Sequence, residues 1–227
     1  MLVAYASSVN IVLPKKATNR VDYAAEYLQK KLLQQGFAVS VTKNGKADKN
    51  SECKVYLSIS KNTASLKKEG FEITTTVKQS KKGAITNISI VGNDGTGCIY
   101  ACNELAEQIK KNGISKLPSS VKDAPEMVLR GGCIGVQKPY LLPGRMVYEY
   151  PYTPELFPWF YDKQHWIEYL DMLVENRMNS VYLWNGHPFA SLVKLPDYPY
   201  AVEVDDATFE KNKEIFAFLT KEADRRG

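Results

Sequence analysis

The sequence has two histidines and four cysteines, so it is poor in the side chains that bind transition metals. The cysteines, Cys53, Cys98, Cys102 and Cys133, form no C-x-x-C pair and no other spacing of metal ligands. The pattern therefore predicts no metal site. Cys98 and Cys102 lie four residues apart on one face of a predicted helix, which favours apolar packing. A disulfide or a metal site is the alternative.

The sequence also lacks a membrane segment and a nucleic-acid signature. No apolar run approaches the roughly 18 residues of a spanning helix. The start, "MLVAYASSVNIVLP", has neither the basic region nor the long apolar stretch of a signal peptide. The net charge of +5 comes mostly from scattered lysines rather than from a basic stripe. We expect a soluble chain with no nucleic-acid partner and no membrane partner.

A complete nucleotide fingerprint is missing as well. Gly92, Gly95 and Gly97 in "VGNDGTGCIYACNEL" have the spacing G-x-x-G-x-G, whereas dinucleotide-binding loops read G-x-G-x-x-G. No Lys-Ser or Lys-Thr pair follows to make a Walker loop. The loop therefore predicts a tight turn from a strand to a helix, and no cofactor.

Residues 1–114 have the pattern of a small α+β domain. Runs rich in β-branched residues predict strands at 9–14, 38–42, 54–60, 71–79 and 84–92, and "SKKG" predicts a hairpin turn between the last two. A helix capped by Thr18 or Asn19 runs up to Gly36, and a second covers 97–111 before Gly113. The order β-α-β-β-β-β-α predicts a sheet with two helices on one face.

A linker is expected at 115–126, because "SKLPSSVKDAPE" is rich in serine, proline and charge. Beyond it, 127–136 is a nearly continuous apolar run, typical of a strand buried on both faces. A helix capped by Asp162, a strand at 179–184 and a helix after Asp205 and Asp206 follow, separated by long aromatic loops. This alternation predicts a parallel α/β architecture.

The second half is too short to close a barrel. A (β/α)8 barrel needs roughly 250 residues, and 101 residues follow residue 126. The long loops follow the carboxyl ends of the strands, where such barrels hold their active sites, and the short "NRMN" connection lies at the other end. Residues 127–227 are therefore predicted to be the truncated start of a barrel, its first two βα units.

Several stretches, in this order, carry a family resemblance: "YAAEYLQKKL", "EGFEITT", "ISIVGNDGTGCIYACNELAEQI", "VLRGGCIG" and "WIEYLDMLVENRMNSVYLWNGHPF". The chain resembles the amino-terminal part of glycoside hydrolases. This part is the accessory α/β domain before the catalytic barrel in family 20 β-hexosaminidases and in α-glucuronidases, followed by the opening of the barrel. The resemblance implies an oligosaccharide or polysaccharide substrate and a parent chain that hydrolyses glycosidic bonds. It also implies export to the periplasm or the cell exterior.

The resemblance implies substrate-binding residues at two places. Arg130 matches an arginine that binds sugar hydroxyls in hexosaminidases; the alternative is that it pairs with a buried carboxylate at the start of the strand. Trp184, Asn185 and His187 stand where hexosaminidases have Trp-His and then an acidic pair. Asn185 replaces that histidine, and no acidic pair comes after it. The resemblance therefore does not imply specificity for N-acetylhexosamine.

Trp184 and His187 each leave two interpretations open. Trp184 either stacks on a pyranose ring or fills the core of the barrel. His187 either contacts a sugar or is a surface or packing residue.

The aromatic loop before Asp162 also has two interpretations. It either forms a carbohydrate-binding rim or covers the side of the barrel or the interface with the first domain. Its aromatic residues are Tyr140, Tyr148, Tyr150, Tyr152, Trp159 and Phe160.

Catalytic residues are not expected within this chain. Glycosidases use two carboxyl groups in a defined pair, and Glu149, Glu155, Asp197 and Glu203 have no spacing that singles out a pair. In the resembling families the catalytic acids come from later strands, so we expect the 227-residue chain to be inactive. The alternative is a non-catalytic carbohydrate-binding or interaction module. Unclosed parallel strands also predict either dimerisation through their exposed edges or disorder of 127–227.

Overall fold

The computed structural model describes residues 7–60, 66–80, 83–136, 138–142, 145–148, 151–184 and 189–227, with backbone alone at 138–142, 145–148 and 189–190. These residues divide into two compact units. The first unit holds the residues up to Val128 together with the last three residues, and the second unit is Leu129–Asp224. Within the described ranges, no helix combines the length and the apolarity that crossing a bilayer requires.

The first unit is a mixed six-stranded sheet covered by two helices. Its elements are β1 Ser8–Val12, α1 Asn19–Gln34, β2 Ala38–Thr42, β3 Cys53–Ile59, β4 Phe71–Ser80, β5 Gly83–Gly92, α2 Gly95–Asn112 and β6 Ser120–Asp123. The strand order is β2-β1-β3-β5-β4-β6. Strands β1, β2, β3 and β5 run parallel, and β4 is antiparallel to both of its neighbours. The predicted α+β order is present, and the predicted hairpin is the β4–β5 pair.

Both helices start and stop where local chemistry dictates. The Thr18 hydroxyl accepts the amide of Val21 at 3.4 Å and caps α1, and Gly36 follows the helix with φ +87°, a conformation that favours glycine. The two helices pack side by side, and the buried Tyr27 hydroxyl donates to Asn103 Oδ1 at 3.1 Å. They cover one face of the sheet, where alternate residues of β3 and β5 are buried.

The segment predicted as a linker contains a strand that the sequence did not indicate. Ser120–Asp123 pairs with the start of β4 and extends the sheet by one edge strand. Three of its four residues are exposed, so backbone hydrogen bonds hold it rather than an apolar face. The chain passes from one compact unit to the other only after Val128.

The glycine-rich loop is a closed turn. The Asp94 carboxylate caps α2 by accepting the amide of Gly97 at 2.8 Å, and its other oxygen accepts the amide of Glu69 at 2.9 Å. A Cβ placed on Gly97 would lie 2.3 Å from the carbonyl oxygen of Gly70. The helix start is therefore occupied by the protein's own carboxylate and by backbone, as the prediction of a strand-to-helix turn requires.

The three cysteines of the first unit are core residues. Cys53, Cys98 and Cys102 are buried with free thiols, and the Cys98 thiol donates to the carbonyl of Ser58 at 3.3 Å. The packing interpretation of Cys98 and Cys102 is confirmed, and the disulfide alternative is wrong. In the part of the chain that the structure describes, no cluster of His, Cys, Asp and Glu is arranged to hold a metal ion.

Thiol reactivity should separate the four cysteines. Burial raises the pKa of Cys53 and of Cys98 to about 12, and raises that of Cys102 well above its usual value. The thiolate is the reactive form, so we expect one fast equivalent with Ellman's reagent at pH 8, from the exposed Cys133. The other three should react only on unfolding. Cys133→Ser should abolish the fast phase, and a fast equivalent that persists in this variant would contradict the assignment.

The second unit is built around a parallel strand pair. Its elements are β7 Gly131–Gly135, β8 Lys138–Leu142, β9 Arg145–Tyr148, α3 Lys163–Glu175, β10 Ser180–Trp184, α4 Phe189–Leu192 and α5 Asp206–Arg226. Strands β7 and β10 pair in parallel with α3 between them in sequence, and α5 follows β10, in the predicted order. The antiparallel pair β8–β9 lies within a segment predicted to be a loop. Asp162 caps α3 as predicted, accepting the amides of Gln164 and His165.

Candidate functional site

One face of the β7–β10 pair is open. Cys133 on β7 lies opposite Tyr182 on β10, and Gly135 lies opposite Trp184. The side chains of Tyr182 and Trp184 are 64% and 55% exposed. The expectation of a strand buried on both faces is wrong for this chain: β7 begins only at Gly131, and no other strand in the described ranges pairs with either of the two. Pairing of two copies through these strands stays a prediction.

The opposite face of the strand pair carries the core of the second unit. Ile134, Val181 and Leu183 point to this side and pack on residues of α3, α5 and the loop after β7. The buried members of this core are Val136, Tyr152, Phe157, Phe160, Trp166, Leu170, Leu173, Ile215 and Leu219. The helices therefore lie on one side of the pair, which leaves the other side open.

The aromatic loop after β7 contributes to this core. Tyr152 and Phe160 are 3% and 0% exposed, with ring centroids 5.3 Å apart. Trp159 is half-buried against the Trp166 ring, and the Trp166 indole donates to the carbonyl of Phe160 at 2.7 Å. Tyr152, Trp159 and Phe160 were candidates for a carbohydrate-binding rim, with cover of the barrel's side as the alternative, and they cover the side of the strand pair. The side chains of Tyr140, Tyr148 and Tyr150, also named for that rim, lie outside the described residues.

A buried asparagine joins the two loops that follow the strands. Asn212 of α5 is 0% exposed. Its amide donates to the carbonyl of Tyr152, after β7, at 2.9 Å and to the carbonyl of Ser191, after β10, at 3.0 Å. Its oxygen accepts the hydroxyl of Tyr161. Burial, and then the charge of Glu155, raises the pKa of Tyr161, so that the phenol stays a donor. The Ser191 hydroxyl accepts the amide of Tyr152 at 2.8 Å, which completes the network.

The network joins the two loops that follow the carboxyl ends of the strands. In parallel α/β folds the loops at the carboxyl ends of the strands form the ligand site. Because Asn212 bonds both loops from one helix, it fixes residues 152 and 191 relative to each other.

Arg130 lies at the other end of the strand pair. It directly precedes β7, and its Nε donates to the carbonyl of Arg177 at 2.8 Å. Its backbone amide donates to Asn179 Oδ1 at 3.0 Å, and its carbonyl accepts the amides of Asn179 and Ser180. Arg177 has φ +54°, so Arg130 braces a left-handed turn between α3 and β10. The alternative, an ion pair between Arg130 and a buried carboxylate, is not tested by this bond and stays a prediction. Contact between Arg130 and substrate stays a prediction.

Trp184 ends β10 with its ring on the open face, and its carbonyl accepts the amide of Val136 at 3.0 Å. This places an exposed indole at the carboxyl edge of the strand pair, where a sugar ring can stack on it. Asn185 and His187 lie outside the described residues, so their predicted contacts stay predictions.

The candidate acids are exposed wherever the structure describes their side chains. Glu155, Asp197 and Glu203 are exposed, and Glu149 lies outside the described residues. Within the described part of the second unit no aspartate or glutamate is buried. That the catalytic carboxylates come from later strands stays a prediction.

Sequence reasoning missed Asn212, although a signal was present. Phe209, Asn212, Phe216 and Leu219 recur at spacings of three and four, which is the buried face of α5. An asparagine at a core position of an amphipathic helix predicts a buried polar contact. Its partners, at residues 152, 161 and 191, were not predictable, because they are backbone groups and a hydroxyl from distant loops.

Comparison with known proteins yields structural relatives only. The scan against protein-family models gives no match. The search of the curated proteins also gives none. Among solved structures, a GH138 enzyme described as targeting pectin rhamnogalacturonan II is 51% identical in sequence, with a TM-score of 0.80. That similarity covers 96% of this chain and 24% of the enzyme.

A Flavobacterium johnsoniae chitobiase of family 20 is 16% identical with a TM-score of 0.54, over 95% of this chain and 30% of the chitobiase, so it shares the fold alone. The expected resemblance to glycoside hydrolases is confirmed, but the 51% identical relative is from family 138, which the sequence analysis did not name. The chain is therefore related over nearly all of its length to a carbohydrate-degrading glycoside hydrolase, and it spans 24% of that relative.

Proposed function

We propose that this chain is the amino-terminal part of a glycoside hydrolase that degrades pectin. The observation that carries the proposal is the 51% identity, over 96% of the chain, to an enzyme described as targeting pectin rhamnogalacturonan II. In this proposal the first unit is the accessory domain. The second unit supplies the first two βα units of a (β/α)8 barrel. The succession β7-α3-β10-α5 supports this, because a barrel repeats that strand-helix alternation.

The two faces of the strand pair support the same arrangement. A barrel strand turns one face to the helices outside and the other face to the barrel interior. Here α3 and α5 pack on the face of Ile134 and Leu183, whereas Cys133, Tyr182 and Trp184 are uncovered. In the proposed barrel these three side chains point inward, and Trp184, at the carboxyl end, borders the substrate.

Arg130 has a different place in the proposal. Active sites of such barrels lie at the carboxyl ends of the strands. Arg130 precedes β7 and holds the turn at Arg177, so we assign it to stabilising the opposite end. Trp184 is then the described residue proposed to contact the sugar, and the catalytic carboxylates are proposed to come from later strands.

Activity measurements test this proposal directly. We expect the protein translated from the longer reading frame to release sugar from rhamnogalacturonan II, measured by anion-exchange chromatography. The purified 227-residue chain should release none. In the longer protein, Trp184→Ala should lower kcat/KM about tenfold. This ratio corresponds to the loss of roughly 1.4 kcal/mol of stacking free energy. Arg130→Gln should leave KM unchanged and lower the thermal stability instead.

Two results would count against the proposal. Turnover by the 227-residue chain would show that it contains catalytic carboxylates after all. A reading frame that stops after Gly227, in a chain that binds pectin without cleaving it, would favour a non-catalytic carbohydrate-binding module.

A further inference from the structure

Exposed aromatic side chains are concentrated in one stretch of the chain. Among the aromatic side chains that the structure describes, the most exposed are Tyr182, Trp184, Tyr198 and Tyr200, at 64%, 55%, 53% and 79%. Tyr182 and Trp184 belong to the open face already assigned to the barrel interior. Tyr198 and Tyr200 lie further on, in the loop between β10 and α5, and nothing in the proposed function requires them.

The tyrosine pair, Tyr198 and Tyr200, is held in a fixed geometry. The two rings meet edge to face, with centroids 6.0 Å apart and planes at 84°. The amide of Tyr198 donates to the carbonyl of Leu195 at 3.1 Å, and the amide of Ala201 donates to the carbonyl of Tyr198 at 3.0 Å. Pro199 between the tyrosines fixes its own φ. The rings are therefore displayed on a stiff turn rather than on a flexible loop.

The base of this loop is also closed. Lys194 forms a 2.7 Å ion pair with Asp206 at the start of α5. The same ammonium lies 4.8 Å from the centre of the Phe209 ring. Because the loop is tied at both ends, a ligand that stacks on the tyrosines has little backbone entropy to remove, which favours binding.

The chain segment that carries the pair is acidic. Residues 193–206 contain four acidic residues, Asp197, Glu203, Asp205 and Asp206, and one basic residue, Lys194, which is paired with Asp206. Asp205 is anionic at neutral pH, as an exposed aspartate is, and hydrogen bonds from Thr208 lower its pKa further. A carboxylated sugar would be repelled here, whereas a neutral sugar offers hydroxyls as donors to carboxylates.

We propose that Tyr198 and Tyr200 form a secondary sugar subsite that binds a neutral pyranose of the polysaccharide, one ring stacking on the C–H face of the sugar. Binding a neutral pyranose needs an exposed aromatic plane, a second ring at a steep angle to confine the sugar, and hydrogen-bond acceptors for the sugar hydroxyls. The subsite rests on the proposed function for its substrate class. It adds selectivity, since it selects neutral residues in a polymer that also contains galacturonate.

Saturation-transfer NMR on the 227-residue chain tests the subsite without any turnover. The probes are methyl α-L-rhamnopyranoside, which is neutral, and methyl α-D-galacturonopyranoside, which is anionic. We expect transfer to the ring protons of the rhamnoside, with weaker transfer to the galacturonoside. Tyr198→Ala and Tyr200→Ala should each reduce the rhamnoside signal about fivefold, the effect of removing one stacking partner. Tyr200→Phe should keep most of the signal.

A matched control is Tyr56→Ala, which removes a half-buried tyrosine from the sheet of the first unit and should leave the signal unchanged. Three results would overturn the proposal. The rhamnoside signal could be the same in Tyr200→Ala as in the unaltered chain, the galacturonoside could receive more transfer than the rhamnoside, or neither sugar could receive any. A lower Tm of the longer protein in Tyr200→Ala, with unchanged sugar binding, would assign the pair to packing and also overturn it. Hydrolysis is not part of this assay, so failure of the proposed enzyme activity gives a separate result.

Discussion

Replacing Asn212 by alanine is expected to destabilise the second unit by about 3 kcal/mol or more. The variant leaves two buried carbonyls, of Tyr152 and Ser191, and the hydroxyl of Tyr161 without their partner. Each buried polar group that loses its bond costs about 1–3 kcal/mol. Urea unfolding followed by tryptophan emission measures this unit alone, because all three tryptophans, Trp159, Trp166 and Trp184, lie in it.

Asn176→Ala is the matched control for this prediction. Asn176 is exposed in the same unit, and its amide makes one bond, of 2.8 Å, to the carbonyl of Met172. The same substitution there should cost under about 1 kcal/mol. Asn212→Asp should be nearly as damaging as Asn212→Ala, because a carboxylate cannot donate to the two carbonyls. Equal unfolding free energies for Asn176→Ala and Asn212→Ala would mean that the network does not stabilise the unit.

Gly97→Ala should destabilise the first unit by about 3 kcal/mol. Within a helix, alanine is favoured over glycine by roughly 1 kcal/mol, so a glycine with space around it would gain from the change. Gly97 has no such space: the added Cβ would lie 2.3 Å from the carbonyl oxygen of Gly70 and 3.3 Å from the Cα of Gly92. Both neighbours are backbone, so neither can rotate away, and the clash outweighs the gain in helix propensity.

Amide hydrogen exchange in β5 and α2 measures this effect, since the first unit contains no tryptophan. Protection of the core amides, such as those of Ile88 and Ile90, should fall by about two orders of magnitude, the equivalent of roughly 3 kcal/mol. Ser89→Ala, an exposed position on the same strand, is the control and should leave the protection unchanged. An unaltered exchange pattern in Gly97→Ala would show that α2 can move away from Gly70 at little cost.

Local patterns predicted most of the secondary structure. Thr18 and Asp162 were readable as helix starts because capping depends on a side chain and on the two or three residues after it. Asp94 was not named as a cap, and the second helix, predicted from residue 97, begins at Gly95. The alternation in β3 and β5 was readable for the same reason, since one buried face has a period of two. The β6 strand was not readable from the sequence, because it is defined by backbone hydrogen bonds to β4, about 50 residues earlier in the chain.

The candidate site divides in the same way. The sequence predicted that Trp184 ends a strand, and the structure leaves its ring on an open face. The sequence left two partners open for Arg130, a sugar or a buried carboxylate. The structure adds a bond from its Nε to the carbonyl of Arg177, a partner that only the fold brings near. The aromatic loop after β7 suggested a binding rim, and Tyr152 and Phe160 turned out to be core. Aromatic residues serve both purposes, and the neighbours that decide between them are distant in sequence.

By itself, the sequence determined the order of the helices and strands other than β6, β8, β9 and α4, the packing role of Cys98 and Cys102, and the turn at Gly97. These depend on interactions within a few residues, where periodicity and side-chain chemistry suffice. Only the tertiary structure decided which face of β7 and β10 is open, which loops Asn212 joins, and that Tyr198 and Tyr200 stay exposed beside each other. Those outcomes depend on contacts between segments that folding alone brings together, and no local pattern encodes them.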